Sequence, residues 1–197
     1  MTRSEFPPPP LDAVRMLRRE HEVLRRMFLT FTRVRHDAGE QGREGDIVGQ
    51  ICLGLCLHER AEDEVVLPAL LALPRGASAV RQLSAGHALV GALIAQLDEL
   101  EPGDPGHHAA MSALAGCVSG HFAEEESGLF PHLSGLDTAA IAQAMVSRQR
   151  QWRVDAMRAA PHRVHDADQA WPATCHVVDD WSPPDVASPS PTPSRHN

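Results

Sequence analysis

The sequence contains no lysine and no tyrosine. All 18 basic residues are therefore arginine, a bias that a GC-rich genome explains better than chemistry does. Against 26 acidic residues they leave a net charge of −8, so no basic footprint points to nucleic acid. The absent tyrosine means that no phenolate can ligate or tune a metal. Cysteine is sparse: Cys52, Cys56, Cys117 and Cys175 fall in no zinc-type spacing and form no C-x-x-C motif. They are expected to be small buried residues that stay reduced. No apolar run approaches the roughly 20 residues that span a bilayer. The first ten residues hold four consecutive prolines and no apolar stretch with a cleavage pattern. A cytoplasmic protein without membrane attachment is expected.

What is present is a repeated phrase. His58-Glu-Arg-Ala-Glu62 leads on to Pro68, and His121-Phe-Ala-Glu-Glu125 leads on to Pro131. The same 63-residue offset separates His58 from His121, Glu62 from Glu125 and Pro68 from Pro131. Positions i and i+4 share one helix face, so each phrase sets an imidazole beside a carboxylate. His21 precedes the first phrase and His87 the second. This duplication argues for a metal site shared by two helical hairpins.

The 197 residues suit one domain with a tail. Residues 1–10 form a proline-rich, disordered leader, because four prolines in a row cannot start a helix. Asp12 caps a first helix with the apolar seam Val14, Leu17, His21, Leu24, Phe28 and Phe31. A second helix runs from about Asp46 towards Leu73 with His58 and Glu62 in its seam. Pro68, late in it, predicts a kink or a broken last turn. A third, from about Ala77 to Leu100, carries Leu83, His87, Val90 and Ile94. Asp104 and Pro105 read as the cap and first position of a fourth, whose seam includes Met111, Leu114, Val118, His121 and Glu125. Asp137 can cap a shorter accessory helix over 136–160. From 161 to 197 the composition turns to Pro, Ser, Asp and His without periodicity, and a disordered tail is expected.

His21, His58, Glu62, His87, His121 and Glu125 thus stand where aliphatic residues belong. An unpaired buried carboxylate costs several kcal/mol, and a domain's entire stability is about 5–15 kcal/mol. A compensating cation follows. Imidazole with carboxylate suits iron, manganese or zinc; only Cys117, one turn before His121, offers a thiol near that level. Four His and two Glu exceed one tetrahedral zinc and suit two ions, each with two histidines and bridged by the carboxylates. Two iron ions fit best. Glu59, Glu124 and Glu126 point about 100° from the seam in an ideal helix and read as solvated, with Glu59 the best further ligand. His107 and His108, in a first helical turn, read as exposed, and His132 as past the site. His162, His165, Cys175 and His176 form a weaker tail patch.

The order His21, His58-x3-Glu62, His87, His121-x3-Glu125, with both hairpins closed by Leu-Pro or Phe-Pro, resembles the hemerythrin-like HHE cation-binding family over residues 11–135. The resemblance implies an all-α, up-and-down antiparallel four-helix bundle. It also implies a non-heme di-iron centre, bridged by oxide or hydroxide, with those six residues as ligands. Two features depart from the oxygen carriers of the family. Gly91 stands where they have a fifth histidine, and their last-helix carboxylate is an aspartate at five residues rather than Glu125 at four. The departure favours peroxide or O2 redox chemistry, catalase-like peroxide decomposition and oxidative stress over O2 carriage. Its partner would be a diatomic or peroxide ligand. The alternatives are an oxygen, nitric oxide or iron sensor, read by a protein partner through the tail, and reversible O2 or iron buffering.

Overall fold

The computed structural model describes residues 11–36, 43–74, 76–102 and 104–159, with side chains up to Trp152. The expectations for the leader, the tail and the tail's His and Cys patch lie outside these residues. Among the described residues the chain is helix and turn without a strand. The long helices are α1 (Ala13–Val34), α2 (Glu44–Ala61), α4 (Gly76–Asp98), α5 (Pro105–Glu124) and α7 (Thr138–Ala159), with short helices α3 (Leu67–Leu71) and α6 (Phe130–Leu133). None of the described helices is long and apolar enough to cross a membrane.

Local chemistry explains the helix starts. Asp12 accepts the Arg15 backbone N–H at 2.8 Å, and Asp137 accepts that of Ala140 at 3.0 Å; each satisfies a donor that the first turn leaves unpaired. Asp104 sits at the cap of α5 in extended backbone, but its side chain makes no cap bond. Proline at the next position removes one of the donors that would need it.

The late prolines produce something more specific than a kink. Between α2 and α3, residues Glu62–Val66 form a π-helical turn, and between α5 and α6, Glu125–Leu129 form another. Leu67 N–H donates to Glu62 C=O, and Phe130 N–H to Glu125 C=O, five residues back. Pro68 and Pro131 have no N–H, and their rings clash with the carbonyl four residues back in a regular helix. Widening the preceding turn relieves that clash. Each π turn starts at the glutamate of its repeat.

α1 packs along α2, α4 along α5, and α7 across α1, α2 and the first π turn. Two apolar clusters result. One contains Leu24, Phe31, Ile51, Ile94, Leu114 and Phe122; the other contains Leu17, Val66, Leu70, Leu83, Phe130, Met145 and Trp152. The seam histidines and glutamates are buried with these clusters. In α1 the buried stripe is Ala13, Leu17, His21, Leu24, Met27, Phe31 and Val34, so Met27 continues it rather than Phe28. Cys52 and Cys117 are free thiols. Cys56 is disulfide-bonded, against the expectation that all four stay reduced; pairing of this kind has no sequence signature.

Candidate metal centre

All six predicted residues are buried: His21 and Glu62 fully, His58 and Glu125 at 2% exposure, His87 and His121 at 7%. They converge in two overlapping groups able to hold an ion. Donor atoms of His21, His58 and Glu125 lie within 4.8 Å of one another, as do those of Glu62, His87, His121 and Glu125. Glu125 belongs to both. Its Oε2 stands 3.0 Å from His21 Nε2 and 3.9 Å from His58 Nε2, and its Oε1 stands 2.6 Å from His121 Nε2. Glu62 Oε2 lies 3.2 Å from His87 Nε2 and 3.7 Å from His58 Nε2, so it too reaches towards both groups.

The outward nitrogens are held by carboxylates. His21 Nδ1 donates to Glu126 at 2.8 Å, His58 Nδ1 to Glu20 at 2.9 Å and His87 Nδ1 to Asp63 at 2.8 Å. A carboxylate on Nδ1 holds a proton there and turns Nε2 inward, the outer support that metal-ligating histidines use. Arg25, 2.9 Å from Glu126, anchors that carboxylate in turn. The His21 ring is stacked on Phe122 at 3.8 Å and 7°, with Phe130 at 5.5 Å. These aromatic contacts restrict the ring's rotation.

Charge follows from this packing. Burial disfavours the charged imidazole of His87, but the hydrogen bonds to Asp63 and Glu62 and the Glu62 charge push it up to about 10. His58 is likewise raised well above its usual value: burial opposes, and Glu62, Glu125 and Glu20 outweigh it. Burial would raise Glu125, but close contacts with His121, His21 and His58 hold it well below the ordinary carboxylate range.

Those contacts are short without being hydrogen bonds. Glu62 Oε1, His121 Nε2 and both oxygens of Glu125 are buried without a hydrogen-bond partner. At 2.6 Å, His121 and Glu125 are near enough to pair, yet their orientation is off the hydrogen-bond axis. These four donor atoms face the interior unpaired, while His21 meets His58 and His87 meets Glu62 at 3.2 Å. That is the geometry of ligands around a cation, and the nitrogen and oxygen donor set fits one of borderline hardness.

Several neighbours differ from the sequence expectation. Glu126 is not simply solvated: its side chain is 24% exposed and holds His21. Glu59 is only 5% exposed and leaves Oε1 unpartnered; burial pushes its carboxyl up to about 8. The 100° argument fails for it because α2 packs against α1, α4 and α7 together, so little of its circumference meets solvent. Glu124 is exposed, as expected. His107 is buried, at 2% exposure, rather than exposed, because the start of α5 packs on the start of α2 and sets it 3.6 Å from Glu44. His108 is part-exposed and 2.8 Å from the same Glu44 oxygen. His132 belongs to neither group.

The sequence reading did not pick out Glu20, Asp63, Gly86, Phe122 or Phe130. The signal for half of this outer layer was the duplication itself. The 63-residue offset also pairs Asp63 with Glu126, and each holds the lone histidine of the opposite hairpin.

A family model described as hemerythrin HHE cation binding domain matches residues 12–133. Comparison with curated proteins and with solved structures found no match.

Proposed function

The chain belongs to the hemerythrin HHE cation-binding domain family, and on that premise we propose that it is a non-heme di-iron protein acting in peroxide or O2 redox chemistry. One observation carries the reading. His21 Nε2 and His58 Nε2 face each other at 3.2 Å, while the Nδ1 of each is bonded to its own carboxylate. Two imidazole nitrogens directed together in a dry interior require a proton or a metal ion between them. The four unpartnered atoms of Glu62, His121 and Glu125 make the same demand, since each buried orphan costs about 1–3 kcal/mol.

In this reading residues 11–135 form an up-and-down four-helix bundle and 136–160 an accessory helix. His21 and His58 would hold one ion and His87 and His121 the other. Glu125, and Glu62 at longer reach, would serve both. Imidazole with carboxylate is a donor set for iron. A pair of irons supplies, when bound, the two electrons that cleavage of an O–O bond requires. The protein's part is to hold the donors. Glu126, Glu20 and Asp63 keep three histidines in the ligating tautomer, and Phe122 with Phe130 exclude water from His21. Gly91, where the family's oxygen carriers have a histidine, leaves the His87 side with one donor fewer, which supports turnover over carriage.

The test is peroxide consumption, with evolved O2 measured, by the iron-loaded full chain. Turnover should be lost in His58→Ala and His121→Ala together with most of the iron. A wild-type chain that keeps its iron and leaves peroxide untouched contradicts the enzymatic reading.

A further inference from the structure

α7 packs across α1, α2 and the first π turn. The outer face of the other hairpin, α4 with α5, stays exposed at Ala85, Leu89 and Ala92 on α4 and at Ala113, Gly116 and Gly120 on α5. Leu89, in the middle of α4, is 55% exposed. A Cβ at Gly116 or Gly120 would meet nothing within 4 Å, so the space over α5 is open.

This face carries no charge. From Gln82 to Leu97 and from Pro105 to Ala123 there is no Asp, Glu or Arg, whereas α1 alone has six Arg and two Glu. A helix face turned to water is ordinarily charged or polar.

Charge resumes at the two ends of the α4 stripe, with opposite signs. Arg81 and Glu99 are both exposed, and neither has an ion-pair partner among the described residues. Glu99 follows the last residue of α4. It stands five turns beyond Arg81 at about 3.6 residues per turn, so the two flank the stripe that Ala85, Leu89 and Ala92 form. The face therefore complements itself. A second copy turned end over end sets Arg81 opposite the partner's Glu99 at one end and repeats the pair at the other. Leu89 then meets the partner's Leu89 between them. Like end to like end would instead oppose two acidic turns, each with Asp98, Glu99, Glu101 and Asp104, which repel.

We propose that the α4–α5 face joins two copies of this chain about a two-fold axis, α4 against α4 and α5 against α5, end over end. The arrangement is isologous, the same patch on both subunits. It has an apolar centre and a charged rim, the anatomy of a specific interface. The uncharged zone is about 24 Å long and about 20 Å wide. A pair buries about 1,000 Å², where specific interfaces begin. A second copy is the occupant because the rim charges match each other, which contact with an unrelated protein would not require.

The purified full chain is examined by sedimentation velocity over a series of concentrations, with helix content and metal content measured in the same samples. Wild type should form a dimer, and Leu89→Glu should be monomeric. Arg81→Glu and Glu99→Arg each set like charges opposite one another and should weaken the dimer about tenfold or more, with helix and metal content unchanged. The double variant Arg81→Glu/Glu99→Arg restores opposite signs at both contacts and should recover the wild-type affinity, which a folding defect could not do. A wild-type chain that stays monomeric at every concentration overturns the proposal. A dimer indifferent to Leu89→Glu and to both single reversals overturns it too, as does a double variant no tighter than the single ones.

Discussion

Gly86 and Gly91 lie five residues apart on α4 and should respond oppositely to the same substitution. A Cβ at 86 meets His121 Nδ1 at 2.4 Å and Cε1 at 2.7 Å, whereas a Cβ at 91 meets nothing within 4 Å. Replacing a helix-interior glycine by alanine ordinarily gains about 0.5–1 kcal/mol. Gly91→Ala should show that gain as a raised melting temperature, with metal content unchanged. Gly86→Ala should displace the His121 ring and lower metal content towards one ion per chain, with helix content by circular dichroism retained. Equal metal content in the two variants would mean that the close approach at Gly86 does not position His121. The open space at 91 also makes room for Gly91→His, which should close a position on the His87 side and reduce peroxide turnover with iron retained. All six converging residues were legible in the sequence, because each interrupts an apolar seam. Glu126 and Asp63 were not, since they sit beside the seam of their own helix and act on a histidine of another.

One side chain caps helix α1 and also bonds the start of α7. Asp12 accepts the Arg15 N–H through Oδ1 and the Thr138 hydroxyl through Oδ2 at 2.7 Å. These bonds, that to Thr138 first, lower its pKa from the usual 3.8. A carboxylate depressed in the folded state adds stability that is present above the unfolded value. That stability is lost as pH falls through the folded one. Asp12→Ala should therefore cost about 1 kcal/mol at neutral pH and nearly nothing once Asp12 is protonated, measured as urea midpoints at the two pH values. A cost that does not shrink in acid would place the effect elsewhere than in this carboxylate. The caps at Asp12 and Asp137 follow from the sequence, since cap residues act within one turn. The π turns did not, although Pro68 and Pro131 marked where the α-helix had to yield. A sequence shows that a proline removes a hydrogen bond; only the packing of Leu67, Leu70, Phe130 and Leu133 decides that the chain continues as helix through a widened turn.

The molecule as a whole surrounds its buried histidines and glutamates with two apolar clusters, and a bound cation becomes part of its stability. A metal that binds only the folded chain at 1,000 times its dissociation constant adds about 4 kcal/mol. Removal by chelator should accordingly lower the melting temperature, and readdition of iron should restore it. An apo-protein that melts where the loaded one does would show that the donors are satisfied without metal. The helical class and the family were both readable from the spacing of His21, His58, His87 and His121, because buried ligands must recur with the helix period. The buried state of Glu59 was not, because it depends on how many neighbours α2 has. The most direct test of the account is the iron content of the purified full chain beside that of Glu125→Ala, since Glu125 alone belongs to both groups of donors. The account predicts two irons per wild-type chain and loss of both ions in the variant. A single tightly held zinc, unchanged by Glu125→Ala, would contradict it.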